Sequence, residues 1–551
     1  MINDTSPPTA SQYPTMLRRL AHAILGLLAS TISLLAQSPA RIVGYFPSWG
    51  IYARNYHVPD IPAAQLTHIN YAFANLHNGQ IALGDPYADI DRFYPGDCWN
   101  PGCRRGSFQR LRLLKQQHPH LKTLISVGGW TWSSGFSDAV LTASARTLLA
   151  QSIVDFVDLH EFDGADIDWE YPVGGGLPGN ITRPQDRQNY TLFLQELRAR
   201  FQTRSQTTGK TYLLTIAAPA NPAIIAHFDV PAIWPVLDWI NLMTYDLRGP
   251  WGDPFTGFNA PLYADPLEPI GEPMRSQWNV AAAVQHYRQL GVPADRLHVG
   301  MAFYGRGFGN VTANAQNGLY QTYSGPSAPG TWENGVYDYT DLAANHENQP
   351  GWLKSWHETA RVPWLWHSTQ QKFIGYDDPR SIAEKAFHLQ QHQLGGAMFW
   401  ELSGDRQAAL LSTLDLWLRQ RPRLSASNDR VSLQAPARVD LSLRGGQSRA
   451  GRTYLVFAGL SGTWPGLVLP GGLLPLNLDF LVQASLSLAN GNLFVNTVGV
   501  ADAQGNASAA IDFTTTPLST AFLGFSIHAA AWWFAPAGGE ASNAIEIRLA
   551  R

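Results

Sequence analysis

The segment FDGADIDWEYP, residues 162–172, sets Asp163, Asp166, Asp168 and Glu170 among Phe162, Ile167, Trp169 and Tyr171. In a strand, residues i, i+2 and i+4 project to one side at intervals of roughly 6.6 Å. Asp166, Asp168 and Glu170 therefore form one column, while Ala165, Ile167 and Trp169 face the other way. Stacked carboxylates raise one another's pKa, and burying them is costly unless they are paired or protonated. Such a column destabilises a fold, so it points to chemistry. The alternative, a solvated edge strand, conflicts with the apolar flanks. A carboxyl group held protonated near neutral pH is what a general acid needs. Glu170, at the far end, is placed to reach a substrate, and the deeper Asp166 and Asp168 can share a proton and tune it.

A column of this kind needs a strand whose C-terminal end opens on a cleft. From Arg41 onward short β-rich runs alternate with helical patterns. The strand candidates are 41–49, 67–76, 122–130, 164–172, 212–220, 239–246, 297–305 and 395–403. Helical patterns at 144–162, 187–204, 279–291 and 381–393 fall between them. The expected fold is α/β, a (β/α)8 TIM barrel over 41–418, with its active site at the C-terminal rim. The crossover at 309–372 is too long for a helix alone and is rich in Gly, Tyr and Trp, so it reads as an α+β insertion domain after strand 7. Residues 419–430, RQRPRLSASNDR, read as a linker. Over 431–551 alternating runs, among them SLSLANGNLFVNTV at 485–498, indicate a C-terminal all-β sandwich-like domain.

Hydrophobic residues make up 45% of the chain and the formal net charge is −3, so there is no electrostatic footprint for nucleic acid. The 19 Trp, 20 Tyr and 24 Phe residues suit a sugar-binding cleft, because pyranose rings stack their C–H faces on aromatics. Residues 1–38 read as a secretory signal peptide, with Arg18 and Arg19 ahead of the apolar run Leu20–Ala36 and a start at Met1 or Met16. The expectation is a secreted, extracellular monomer with no membrane attachment after cleavage. Cys98 and Cys103 either close a local disulfide or stand as surface thiols. No histidine spacing suggests a metal site, and no cofactor is expected. Trp332, Trp364 and Trp366 in the insertion, and Trp464, Trp532 and Trp533 near the C-terminus, read as core, with polysaccharide binding by the last three as the alternative.

DGADIDWEYP resembles the DxxDxDxE signature of glycoside hydrolase family 18, the chitinases. SVGGW (126–130), MTYD (243–246), FYGRGF (303–308), GGAMFWELSGD (395–405) and the insertion after strand seven resemble further parts of that family, over about residues 41–418. The resemblance implies Glu170 as general acid/base, Asp168 orienting the substrate's acetamido group, Asp166 supporting Asp168, and Tyr245 donating to the acetamido carbonyl. That carbonyl then acts as nucleophile in place of an enzyme carboxylate. It further implies Trp400 as floor of the cleft. Tyr45, Trp49, Phe73, Gly129, Trp130, Met243 and Asp246 line subsites, and Trp251, Tyr304 and Arg306 complete a wall. The implied substrate is chitin or a chito-oligosaccharide. An endo-β-N-acetylglucosaminidase and a non-catalytic chitin-binding lectin are the alternatives.

Overall fold

The computed structural model describes residues 40–551 except Pro101, Trp464, Pro465, Gly471, Thr516, Pro517 and Ala537. The expected signal segment and Trp464 lie outside the described residues.

Parallel strands form the barrel: β1 (Arg41–Pro47), β2 (His68–His77), β3 (Lys122–Gly128), β4 (Gly164–Asp168), β5 (Leu213–Pro219), β6 (Trp239–Met243), β7 (Leu297–Ala302) and β8 (Gly396–Trp400). Each pairs with the next, and β8 pairs with β1 to close the ring. Along β4 the side chains alternate as the sequence requires. Trp169, just beyond its end, is buried on the helix side, its ring 5.1 Å from Phe136 and 5.2 Å from Tyr190. Helices α1 (Gly106–Gln117), α2 (Ala143–Leu159), α3 (Asp186–Thr208), α4 (Val280–Gln289) and α5 (Pro379–Gln391) belong to the outer ring. Side-chain caps start three of them: Thr142 accepts from the Ala145 amide, Asn279 from Ala282, and Asp378 from Ser381. Among the described residues no helix is long and apolar enough to cross a membrane.

Most expected strands run past the observed C-terminal end, because the residues of interest sit in the turns that follow. The seventh is the clearest correction. β7 stops at Ala302, and Tyr304–Phe308 forms a strand of the insertion instead. Phe303 is the switch between them: its N–H donates to the Trp400 carbonyl, and its own carbonyl accepts from Tyr339 N–H. The insertion sheet runs Val336–Asp338, Tyr304–Phe308, Lys372–Gly375, Val362–His367, Trp352–His357, all antiparallel. It therefore begins at Tyr304 and ends at Gly375, outside the expected limits 309–372. Trp364 and Trp366 are buried in its core, but Trp332 is 43% exposed, against the expectation of packing.

The C-terminal domain is a two-sheet sandwich. One sheet holds Arg423–Ala426, Arg438–Arg444, Asn506–Asp512 and Phe494–Val495; the other is built on Thr453–Gly459, Ser526–Ala535 and Gly538–Ala550. The expected linker is thus partly strand. Leu424 enters the sandwich core, and its backbone is clamped on both sides by the Asn543 side chain. Part of the run expected as strand at 485–498 is helix. Asp479 caps α6 (Phe480–Ser487) by accepting from the Leu481 and Val482 amides. Trp532 and Trp533 are buried in separate apolar clusters, the Trp532 cluster reaching Phe387 of α5.

Candidate active site

Asp166 is fully buried inside the barrel. One carboxylate oxygen, Oδ2, accepts from Tyr45 Oη at 2.7 Å and Ser126 Oγ at 2.8 Å. The other, Oδ1, accepts from Thr215 Oγ1 at 2.6 Å and Asn241 Nδ2 at 3.1 Å. Burial pushes its pKa up, and these four donors oppose the rise. They come from β1, β3, β5 and β6, so the register of four strands meets at one carboxylate. Ser126, Thr215 and Asn241 were not singled out from the sequence. Thr215 and Asn241 are each a polar residue in an otherwise apolar strand, and Ser126 opens the SVGGW segment.

Asp168 lies above Asp166 and is also buried. Its Oδ1 has no hydrogen-bond partner among the described residues. Burial first, then the charges of Glu170 and Asp166, holds its pKa well above the usual carboxylate range. Glu170 is two residues beyond β4, partly exposed. Ser133 Oγ accepts from its N–H at 2.8 Å, and Asn180 of the glycine-rich loop donates to its carbonyl at 3.2 Å, so the backbone carrying the acid is fixed on both sides. Loss of water around the carboxyl pushes Glu170 up to about 7. A hydrogen bond from Tyr171 opposes the shift and the charge of Asp246 adds to it.

Gly128 and Gly129 are required for this close approach. At Gly128, with φ near +104°, a Cβ would lie 2.5 Å from the Asp168 carbonyl; at Gly129, with φ near +77°, it would lie 2.7 Å from the Phe73 ring. Gly129 N–H donates to the Asp168 carbonyl. The structure thus gives Gly129 a backbone role beside the site.

Tyr245 follows β6, and its hydroxyl faces the Met398 sulfur at 3.6 Å. Burial keeps that phenol neutral, its pKa well above the usual tyrosine value. Asp246 is committed elsewhere: Oδ1 accepts from Tyr304 Oη at 2.8 Å and Arg306 Nε at 2.7 Å, and Oδ2 from Arg306 Nη2 at 2.8 Å. Arg306 in turn lies over the rings of Trp251 and Tyr304, 4.9 and 5.1 Å from their centroids. Trp251 is 53% exposed.

Trp400, at the end of β8, is stacked on Phe73 with centroids 5.7 Å apart and 14° between planes. Tyr45 and Trp49 lie 5.7 and 6.0 Å from it. Tyr45 and Phe73 are buried beneath it as supports, and Met243 is half-buried in the same cluster. Trp49 and Trp130 are exposed along the rim, at 37% and 45%. Three non-proline cis peptides lie around the site: Ala72–Phe73 within β2, Glu170–Tyr171 beyond β4 and Trp400–Glu401 at the end of β8. Among the described residues no group of His, Cys, Asp and Glu is arranged to hold a metal ion. Cys98 and Cys103 form a disulfide, with Cα atoms 5.9 Å apart.

A barrel with carboxylates stacked at its C-terminal rim, beside an aromatic floor, defines a glycosidase-type site, and the comparisons agree. Residues 41–405 match the model of glycosyl hydrolases family 18, and the chain belongs to that family. Over 443 residues it is 43% identical to Chitinase A1 of Niallia circulans, a match spanning 73% of this chain and 63% of that protein, under two thirds of its length. It is 37% identical to Endochitinase 1 of Metarhizium robertsii over 402 residues, 70% of this chain and 89% of that one. Among solved structures, Chitinase ChiA74 from Bacillus thuringiensis superposes with a TM-score of 0.66 at 32% identity, covering 93% of this chain and 85% of the other.

Proposed function

We propose that the protein is a secreted chitinase that hydrolyses β-1,4-linked N-acetylglucosamine polymers with retention, the substrate's acetamido group serving as nucleophile. One observation carries the mechanism. Asp168 presents an unpartnered oxygen between Asp166 and Glu170, while Asp246 is held by Arg306 and Tyr304. A two-carboxylate retaining enzyme needs a free nucleophile about 5–5.5 Å from its acid, across the anomeric carbon. Asp166 and Asp168 rise from the strand that leads into Glu170, and Asp246 is engaged by Arg306 and Tyr304, so none of them is suited to that part.

Glu170, protonated, gives its proton to the glycosidic oxygen as the C1–O bond breaks. The acetamido oxygen closes on C1, its N–H held by Asp168 and its carbonyl held by Tyr245. The resulting oxazolinium cation sits above the carboxylates, whose fixed negative charge stabilises it. Water then adds to C1 as the C1–O bond of the ring breaks, and its proton returns to Glu170. The Cys98–Cys103 bridge supports an oxidising, extracellular compartment, and the relatives' names support the substrate.

Proton NMR of fresh chitotetraose hydrolysate tests this reading. The first product should be the β-anomer, since two inversions at C1 restore the configuration. Initial α-anomer, or comparable cleavage when the sugar at the scissile position lacks its N-acetyl group, would sink the substrate-assisted mechanism.

A further inference from the structure

Arg54 lies in the loop after β1. Its Nη1 stands 3.4 Å from both carboxylate oxygens of Asp338 and 3.2 Å from Glu401 Oε1. These carboxylates belong to different parts of the fold. Asp338 ends the first strand of the insertion sheet, Val336–Asp338, and Glu401 directly follows Trp400, the floor of the cleft. Both are buried. The guanidinium also lies over Trp332, 5.1 Å from the ring centroid, and the Trp332 N–H donates to Asp338 Oδ2 at 2.7 Å. One cation therefore joins a barrel loop, the insertion and the residue behind the floor.

We propose that Arg54 is a positioning residue: it ties the insertion to the floor, so that Trp332 and Trp400 are held as one rigid wall for a long sugar chain. The substrate named here rests on the chitinase reading above. Two buried carboxylates within reach of the same nitrogen atom repel each other once that cation is removed. The other charged and titratable groups around them do not compensate. Asp341 adds negative charge near Asp338, while its own carboxylate takes the Thr331 hydroxyl. On the Glu401 side stand the Tyr56 hydroxyl, Asp405 and Arg406. Ser403 already donates to both Glu401 oxygens. Arg406 is exposed and lies over Tyr56, 5.8 Å from its centroid, so it is not placed to substitute. Burial already pushes Glu401 up to about 7 and Asp338 above the usual carboxylate range, with Arg54 holding both down, so without Arg54 the pair keeps a proton at neutral pH. The insertion strand and the floor should therefore part in alkaline solution, where both carboxylates ionise, and stay together in mild acid.

The test compares the wild type with Arg54→Gln, Arg54→Lys and the double variant Arg54→Gln/Asp338→Asn on chitohexaose, at pH of about 9 and about 6. For Arg54→Gln at the higher pH, KM should rise roughly tenfold while kcat, relative to wild type at the same pH, falls far less, the pattern of lost binding alignment. The ratio of variant to wild-type KM should shrink at the lower pH, and both Arg54→Lys and the double variant should recover most of the loss. Hydrogen exchange at Val336–Asp338 gives a readout without substrate: faster than wild type in Arg54→Gln at the higher pH, and near wild type in the double variant. A KM within twofold of wild type at the higher pH would overturn the proposal. So would a loss equal at both pH values and rescued by neither partner substitution. A wild type inactive on every chito-oligomer would overturn the functional reading instead, and the exchange measurement would still decide the tie.

Discussion

In the proposed mechanism, replacing Glu170 by Gln removes the general acid and leaves the shape. Its backbone anchors, Ser133 Oγ on the N–H and Asn180 on the carbonyl, do not involve the carboxyl group, so the fold should stand. The size of the loss can be worked from the environment. A glutamate at its ordinary 4.5 would be protonated in about one molecule in 300 at pH 7; raised to about 7, it is protonated in about half of them. The environment, burial first, therefore supplies on the order of 100-fold more of the protonated form, equivalent to about 3 kcal/mol. With the proton transfer itself, turnover should fall roughly 10²–10⁴-fold in Glu170→Gln.

The sign of the stability effect is opposite. Between pH 4.5 and 7 the native Glu170 holds a proton that the unfolded chain has released, so stability falls as pH rises through that window. Glu170→Gln should melt higher than the wild type at pH 8, by an amount corresponding to roughly 1–3 kcal/mol, and little differently at pH 4. Fluorogenic chitobioside kinetics and thermal melts across pH check both. Wild-type kcat/KM should fall about tenfold per unit above pH 7, while the residual rate of the variant stays flat across that limb. Near-wild-type turnover in folded Glu170→Gln protein, or a variant less stable at pH 8 than at pH 4 relative to wild type, would refute the reasoning.

Tyr45→Phe removes one of the four donors to Asp166 while keeping the ring beside Trp400. Hydrogen bonds to charged groups contribute about 1.5–3 kcal/mol, so kcat should drop roughly 10–100-fold, and a folded variant within twofold of wild type would show that Asp166 needs no such support. A chain ending at Arg421 should fold and cleave soluble chito-oligomers, because the barrel has its own core. Its melting temperature should fall, since Phe387 loses its cover and the Gln391–Glu546 and Arg449–Gln420 bonds go. An insoluble or inactive product at that boundary would mean that the sandwich completes the barrel.

The column at 166–170 was legible because period-two alternation fixes which residues share a face, and the apolar neighbours fix that both faces are covered. What alternation does not encode is register between strands. Ser126 and Thr215 stand beside Asp166 through the pairings Ser126↔Asp166 and Asp166↔Thr215, and Asn241 reaches it from β6, two strands away. No local pattern relates residues so far apart in the chain. The insertion boundary failed for a related reason. MAFYGRGF is one continuous glycine-rich run, yet it divides between two sheets at Phe303, whose N–H bonds Trp400 of the barrel and whose carbonyl accepts from Tyr339, the residue just past the insertion strand Val336–Asp338. The expected linker failed because RLSA is polar enough to read as exposed, while only Leu424 needs to be buried for the strand to form.

The same alternation explains why the site works against the fold that holds it. Ile167 and Trp169 must be buried to pack β4 and the turn after it against the helices, and that commits Asp166 and Asp168 to the barrel interior. The interior treats the two unequally. Asp166 receives donors from four strands, whereas Asp168 receives none on Oδ1 and faces two carboxylates. A network that satisfied both would be more stable, since a buried acceptor without a donor costs about 1–3 kcal/mol. In the mechanism proposed above, that unsatisfied oxygen is free to accept from the substrate's N–H. A substrate N–H placed there would recover an interaction that the protein alone lacks, concentrating binding energy beside the bond to be broken. An enzyme with a fully satisfied column would hold its fold more firmly and its substrate less specifically.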